Sequence, residues 1–240
     1  CSSDLGMDSA TIRRREKEVA DAATRIWVTS HSLMRRFMPT HSAKVHLVPN
    51  GVDVSHFEKA AVLKQKRRPA RPTLGYIGAL NSWFDASLVG EVSARLKDWD
   101  LILVGPPRLD RQQLSALDRP NIRLLGSKSY EELPQLMAAF DVAMIPFKLN
   151  ELIMATNPLK LYEYLAAGIP TVATLMPEVM RFVENGVVAA AENPAEFAAA
   201  ACELIDQARS TRCREIAARY DWKRIFGEAM AEALADIPLS

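Results

Sequence analysis

Apolar and polar positions divide the chain into two stretches of different regularity. Residues 8–23 are charged and Ala-rich, which predicts a helix with Val19, Ala22 and Ala23 as its apolar contacts. Residues 26–29 are a short apolar run that predicts a strand, and Ser30 can N-cap a helix reaching about Phe37. Residues 45–48 predict a second strand, stopped by the turn signal Pro49-Asn50-Gly51. Residues 59–72 carry Lys59, Lys64, Lys66, Arg67, Arg68 and Arg71 with Pro69 and Pro72, and read as an exposed linker.

Beyond that stretch the pattern becomes regular. Strand-like runs at 73–77, 101–104, 122–125, 142–145 and 171–173 alternate with helical stretches at 85–97, 111–117, 130–139 and 159–167. β-branched apolar runs between helices predict a parallel sheet covered on both faces. Right-handed crossovers make that a doubly wound, Rossmann-like α/β layer. From Pro194 the pattern is helical throughout, ending in an amphipathic stretch from Trp222 to about Leu234. Residues 73–190 thus read as a complete α/β domain. Residues 1–48, with a helix, a strand, a helix and a strand, read as the last portion of another.

Composition narrows the class. The 240 residues are 49% hydrophobic and 25% charged, which excludes a disordered, collagen-like or disulfide-stapled chain. Thirty basic against 29 acidic residues leave no global basic field for nucleic acid. No run approaches the length of a membrane span, and no signal-peptide pattern opens the chain. Cys1, Cys202 and Cys213 are too few and scattered for a disulfide framework or a zinc site. Buried thiols in a reducing compartment are expected, hence a cytoplasmic address. The opening Cys1-Ser2-Ser3-Asp4-Leu5 lacks an initiator Met and reads either as a functionless artefact on a truncated piece whose missing domain lay upstream or as a genuine disordered N-terminus.

In a doubly wound sheet, ligands sit beyond the carboxyl ends of the strands, here the loops after Ile77, Val104, Leu125, Ile145 and Ala173. The first of them lies in GYIGALNSWFD (75–85), which is neither a dinucleotide fingerprint nor a P-loop, and this argues against an NAD enzyme and an ATPase. The most informative stretch is NPLKLYEYLAAGIPTV (157–172). Asn157 can N-cap a helix, Pro158 suits its first position, and Gly168 ends it. Lys160 falls in the first turn and Glu163 one turn later on the same face, with Leu161, Tyr164 and Leu165 toward the core. A cation in the first turn opposes the helix dipole. An anion bound there reverses the argument, because free N–H groups and the ammonium both face it. The alternative is an exposed Lys160–Glu163 pair worth a few tenths of a kcal/mol, on the order of 0.2–0.5.

This stretch resembles the donor-binding domain of GT-B fold glycosyltransferases, particularly bacterial enzymes of surface-polysaccharide assembly. Further marks are VHLVPNGVDVSHF (45–57), LGYIGAL (74–80) and NIRLLGSKSYEELPQLMAAFDVAMIPF (121–147). The resemblance implies two Rossmann-like domains facing each other across a cleft. Residues 1–48 would be the remnant of the N-terminal acceptor domain, 49–220 the nucleotide-sugar donor domain, and 221–240 a C-terminal helix returning toward the N-terminal domain. Glu163 matches the acid that accepts hydrogen bonds from the ribose hydroxyls. Lys160 matches a diphosphate contact, with Asn157 and Leu159 at the same helix start. The loop Gly126–Tyr130, with Ser127, Lys128 and Tyr130, matches the segment that holds the base, largely through backbone groups. Gly78 and Ala79 match a small-residue loop close to the phosphates, where a side chain would block the ligand. The other reading of Gly78 is a plain turn glycine.

The implied activity is transfer of a sugar from a UDP- or GDP-type donor to a hydroxyl of a glycan or lipid-linked acceptor, without metal or cofactor. An inverting reaction would take its general base from the N-terminal domain, so the piece alone should bind donor and transfer little or nothing. The sequence also departs from the family pattern. Many retaining members carry an acid eight residues before the one at Glu163, where Ala155 stands here; Asn150 and Glu151 are the nearby substitutes. Asn81, Ser82 and Trp83 replace the usual Arg and Lys after the first strand, leaving Lys160 to neutralise phosphate.

Other signals carry less. Asp98-Trp99-Asp100 spells a DxD at the end of a strand away from the ligand loops, and reads as a polar turn. His31, His41, His46 and His56 lack metal spacing, and His31 reads as a first-turn helix residue. The basic run 64–71 is a solvated linker or, if the acceptor is lipid-linked, a peripheral contact with anionic lipid at the inner face of the membrane. The rivals are a non-catalytic nucleotide-binding or scaffold module and a nucleotide-sugar epimerase of related fold. The epimerase would need carboxylates and a histidine facing the sugar, and the candidate loops hold no such cluster.

Overall fold

The computed structural model describes residues 9–64, 70–205 and 209–235. In chain order the elements are α1 (Ser9–Ala22), β1 (Ile26–Val28), α2 (His31–His41), β2 (Val45–Leu47), α3 (Val54–Phe57), α4 (Lys59–Lys64), β3 (Thr73–Ile77), α5 (Ala86–Arg95), β4 (Asp100–Val104), α6 (Arg111–Ala116) and β5 (Ile122–Leu124). They continue with α7 (Leu133–Met137), β6 (Val142–Ile145), α8 (Glu151–Met154), α9 (Leu159–Ala166), β7 (Thr171–Thr174), α10 (Pro177–Met180), β8 (Val188–Ala191), α11 (Pro194–Leu204), α12 (Arg209–Ala217) and α13 (Trp222–Ala235). β1 and β2 form a small parallel pair. The other six strands form one parallel sheet in the order β5-β4-β3-β6-β7-β8. That is the doubly wound order, with its topological switch between β3 and β6.

The switch point has a definite local cause. Pairing between β3 and β6 covers Leu74↔Val142 and Gly75↔Ala143 and then stops, while β3 stays paired with β4 through Ile77↔Val104. The Ile77 N–H turned away from β4 donates instead to the Tyr164 hydroxyl of α9 at 2.8 Å, and that hydroxyl donates to the Ile77 carbonyl at 3.4 Å. One buried phenol therefore takes the place of the missing ladder partner and lets the two strands part into a crevice. Tyr164→Phe should leave a buried N–H unsatisfied and cost about 1–3 kcal/mol. Urea unfolding would measure this as a lower midpoint at unchanged slope, and a midpoint equal to wild type would rule the role out.

Several sequence expectations need correction. A sixth strand, β8, lies in the Ala-rich run after Val187, and the one-turn helices α8 and α10 add to the elements that the pattern predicts. In α1 the buried apolar contact is Ala20, whereas Val19 is 69% exposed and Ala22 is exposed. α2 runs on past Pro39 to His41. Residues 59–72 are not simply a linker: α4 buries Ala60, and Lys64 Nζ donates to the Phe140 carbonyl at 2.6 Å and pairs with Asp141 at 3.4 Å. Arg71 donates to the carbonyls of Lys97, Asp98 and Trp99. The ends of the basic run are thus engaged within the fold; residues 65–69 lie outside the described residues. Cys213 is buried but Cys202 is exposed, and Cys1, with the rest of residues 1–5, lies outside the described residues.

The small sheet is tied to the large one by polar contacts. Ser30 caps α2 by accepting from Leu33 N–H at 3.2 Å, and its hydroxyl donates to the Ala155 carbonyl at 2.6 Å. Ser32 donates to the Met154 carbonyl at 3.0 Å. Val52 and Asp221 form a parallel bridge, and α13 lies beside β2, where His46 meets Glu232 at 2.6 Å. Gly51 permits this crossing, since a Cβ there would sit 2.7 Å from the Tyr220 carbonyl oxygen.

Candidate functional site

Two loops meet at the crevice between β3 and β6. The loop after β3 is held on one side by Gly78 N–H on the Val104 carbonyl (2.9 Å) and Arg108 N–H on the Leu80 carbonyl (2.7 Å). On the other side Lys148 N–H donates to Trp83 and Asp85 N–H to Pro146, both at 2.8 Å. Gly78 and Ala79 are half-buried here. A Cβ on Gly78 would meet the Tyr76 hydroxyl at 2.7 Å, and that hydroxyl donates to the Ala79 carbonyl at 3.1 Å. Burial pushes the Tyr76 phenol well above its ordinary value, so it stays a donor. The space over Gly78 is therefore the berth of Tyr76.

The structure adds a glycine that the sequence did not single out. Gly105, just past β4, has φ +143°, and a Cβ there would lie 2.0 Å from the Gly78 oxygen. Its N–H donates to the Gly126 carbonyl at 2.8 Å. Gly105 thus sits wedged between the two loops proposed for phosphate and base.

At α9 the sequence reading holds in spacing and changes in detail. Asn157 is not the N-cap: Pro158 occupies that position, and no side chain caps the helix. Asn157 is buried, its amide donates to the Thr29 carbonyl at 2.8 Å, and its own carbonyl accepts from Asn50 at 2.7 Å. Its work is to tie the small sheet to the α9 start, while Leu159 is 39% exposed. Lys160 Nζ lies 2.7 Å from Glu163 Oε2, with side chains 25% and 5% exposed. This is not the exposed pair of the alternative reading. Burial raises the Glu163 carboxyl above its ordinary value, against the pull of Lys160 and the weaker pull of His56. A carboxylate buried this deeply is costly unless partnered, and Lys160 is the partner in hand.

The Gly126–Tyr130 loop approaches from the other side. Gly126 is left-handed at φ +66° with open space around it, so backbone conformation rather than crowding calls for glycine. Ser127 and Lys128 are exposed, Lys128 reaching Glu132 at 3.8 Å, and a Ser129–Glu132 capping box ends the loop. Tyr130 lies parallel to His56, ring centroids 4.2 Å apart at 9°, while His56 Nε2 meets the Tyr130 carbonyl at 3.0 Å. Burial, and then the charges of Glu163, Asp53 and Glu131, push the Tyr130 phenol up. His56 was a discounted histidine in the sequence; its signal was its place in VHLVPNGVDVSHF (45–57), where Asp53 caps α3 and accepts from His56 N–H at 3.0 Å.

The remaining candidates fall elsewhere. Asn150 spends its side chain capping α8, accepting from Ile153 N–H at 3.0 Å, and Glu151 is exposed in that first turn. Ala155 ends α8. His31 is the first residue of α2, where its N–H donates to the buried Glu178 at 2.7 Å. Asp100 lies at the amino end of β4, away from the crevice, near Arg71 and Arg123. Among the described residues no group of three or more His, Cys, Asp or Glu is placed to hold a metal ion, and no helix is long and apolar enough to cross a membrane.

Comparison with known proteins adds three findings. Residues 71–207 match the family model described as "Glycosyl transferases group 1". TuaH of Bacillus subtilis strain 168, provisionally named a teichuronic acid biosynthesis glycosyltransferase, is 29% identical over 239 residues; the match covers 91% of this chain and 59% of TuaH, less than two thirds of its length. Among solved structures, Anabaena HepE in complex with UDP and glucose gives a TM-score of 0.74 at 19% identity, covering 98% of this chain and 69% of that one. Sucrose-phosphate synthase from Thermosynechococcus elongatus gives 0.75 at 18%, covering 99% and 65%. At such identities the likeness speaks for the fold, which is α/β of GT-B type.

Proposed function

The chain belongs to the glycosyl transferases group 1 family, and on that premise we propose that its large sheet binds a nucleoside diphosphate sugar, of UDP or GDP type, for transfer to a hydroxyl acceptor. The acceptor on this reading is a glycan or lipid-linked hydroxyl in bacterial surface-polysaccharide assembly, and the naming of TuaH for teichuronic acid biosynthesis supports a polysaccharide role. The observation that carries the proposal is the buried Glu163 carboxylate, one turn from an uncapped helix start that also bears Lys160. Glu163 would take the ribose hydroxyls and so orient the donor. Lys160 and the free N–H groups of α9 would stabilise the diphosphate as it leaves with the electrons of its bond to the sugar. Ser127, Lys128 and Tyr130 would border the base, and Gly78 and Ala79 the phosphates. On this reading residues 1–48 belong to the acceptor domain, 49–220 to the donor domain, and no metal takes part.

Alanine at position 155 favours one alternative, a non-catalytic nucleotide-binding module, and transfer by a version carrying a whole acceptor domain would eliminate it. The first test is thermal shift with UDP, GDP, ADP and their sugar conjugates, with and without EDTA. At about 100 times its dissociation constant a ligand should stabilise the fold by roughly 2.7 kcal/mol. Stabilisation by one nucleoside diphosphate, unaffected by EDTA, is the expected result; no shift with any would count against the donor site.

A further inference from the structure

We propose that Asn157 is a positioning residue, held back by the small sheet so that the anion seat at the start of α9 stays open; this rests on the donor-site reading above. Asn157-Pro158 is a ready helix start, because Asn is a preferred N-cap and Pro suits the first helical position. As a cap, Asn157 Oδ1 would accept from the N–H of Leu159 or Lys160, and its carbonyl would take the first helix bond from Leu161 N–H. Both groups are withheld. The Asn157 amide donates to the Thr29 carbonyl at 2.8 Å, and the Asn157 carbonyl accepts from Asn50 Nδ2 at 2.7 Å. Thr29 follows β1 and Asn50 follows β2, so the small sheet holds Asn157 at both ends. α9 therefore starts one residue late: Pro158 is extended at ψ 109°, and Leu161 N–H turns to the Pro158 carbonyl at 3.0 Å. The side chain bears the mark of this. Asn157 is 4% exposed, and its Oδ1 is buried without a hydrogen-bond partner among the described residues. Folded proteins rarely leave a buried acceptor unpaired, and here it is the acceptor that would close the helix. With the cap withheld, the N–H groups of Leu159 and Lys160 are left to an incoming anion beside the Lys160 ammonium. The two arrangements differ chiefly at Pro158 ψ, since its φ of −77° already suits a helix. Release of the Thr29 and Asn50 contacts would let Asn157 cap α9 and compete with the diphosphate, which links the small sheet to the donor site.

The test titrates UDP, GDP and inorganic pyrophosphate into the wild-type chain and into Asn157→Ser, Asn157→Ala, Asn50→Ala and the double variant Asn50→Ala with Asn157→Ala. Serine caps a helix about as well as asparagine but is too short to span to Thr29, and alanine neither caps nor spans. Asn157→Ser should therefore bind all three probes about 2- to 30-fold more weakly than Asn157→Ala. Both variants lose the tie to Thr29, so a merely structural role would make them equal, and equal affinities would overturn the inference. Asn50→Ala should weaken binding by freeing the cap, and that loss should vanish once position 157 is also alanine. No loss, or a loss undiminished in the double variant, would overturn the inference too. Hydrogen exchange on the wild-type chain needs no variant: the Leu159 and Lys160 amides should exchange fast alone and slowly with pyrophosphate. Protection without ligand would show Asn157 already capping and overturn the inference. If the wild-type chain bound none of the three probes, the donor-site reading would fall and this inference with it.

Discussion

Glu163→Gln should lose one to two orders of magnitude in nucleotide affinity while leaving the free protein at least as stable as wild type at pH 7. A hydrogen bond to a charged group contributes about 1.5–3 kcal/mol, which sets the expected loss at roughly 10- to 150-fold. Stability runs the other way. The folded environment raises the Glu163 carboxyl above its ordinary 4.5, desolvation outweighing the attraction of Lys160. A raised carboxyl contributes stability below its ordinary value, and that contribution is lost as pH climbs through the raised one. Glutamine resembles the protonated acid at every pH, so the variant should match wild type near pH 4 and equal or exceed it at pH 7. Lys160, 25% exposed, can turn to water when its partner is neutral. Melting curves at the two pH values, beside UDP and GDP titrations, separate the outcomes. A large drop in stability of the free variant at pH 7 would mark Glu163 as structural, and unchanged affinity would remove it from the donor site.

The same residues show what could be read from the chain and what could not. Five strands of the large sheet declared themselves through β-branched runs, but β8 reads Val-Ala-Ala-Ala, a composition that pattern alone gives to a helix. α8 and α10 are single turns of four residues, too short for any periodicity; Asn150 caps the first and Pro177 opens the second. Lys64 and Arg71 looked solvated because charge count cannot foresee a long side chain returning to backbone carbonyls elsewhere. At the site, Lys160 and Glu163 were legible because three residues on a helix place them together. Their burial was not, being set by what packs over α9. The contacts of His56 and Gly105 were not legible, because their partners are remote in sequence, Tyr130 lying 74 residues from His56.

Gly105→Ala should be the most damaging small substitution near the site, lowering stability by several kcal/mol and displacing the loop at Gly78. Two penalties coincide there. The backbone at φ +143° is one that side chains rarely adopt, worth about 1–3 kcal/mol. The new Cβ would lie 2.0 Å from the Gly78 oxygen and 2.6 Å from its carbon, and overpacking against atoms that cannot swing aside costs about 1–3 kcal/mol more. Relief requires a movement of about an ångström, and Gly78 is the atom group that must yield. That movement breaks the 2.9 Å bond from Gly78 N–H to Val104 and disturbs Gly105's own bond to Gly126. Both candidate donor loops shift, so nucleotide affinity should fall with stability. Gly126→Ala provides the control: its φ is +66° but nothing lies within 4 Å of the added carbon, so only the left-handed penalty of about 1–2 kcal/mol applies. Urea midpoints of the two variants measure the difference, which isolates the collision from the backbone preference. If Gly126→Ala were as damaging as Gly105→Ala, the contact between Gly105 and Gly78 would not be what holds the two loops in register.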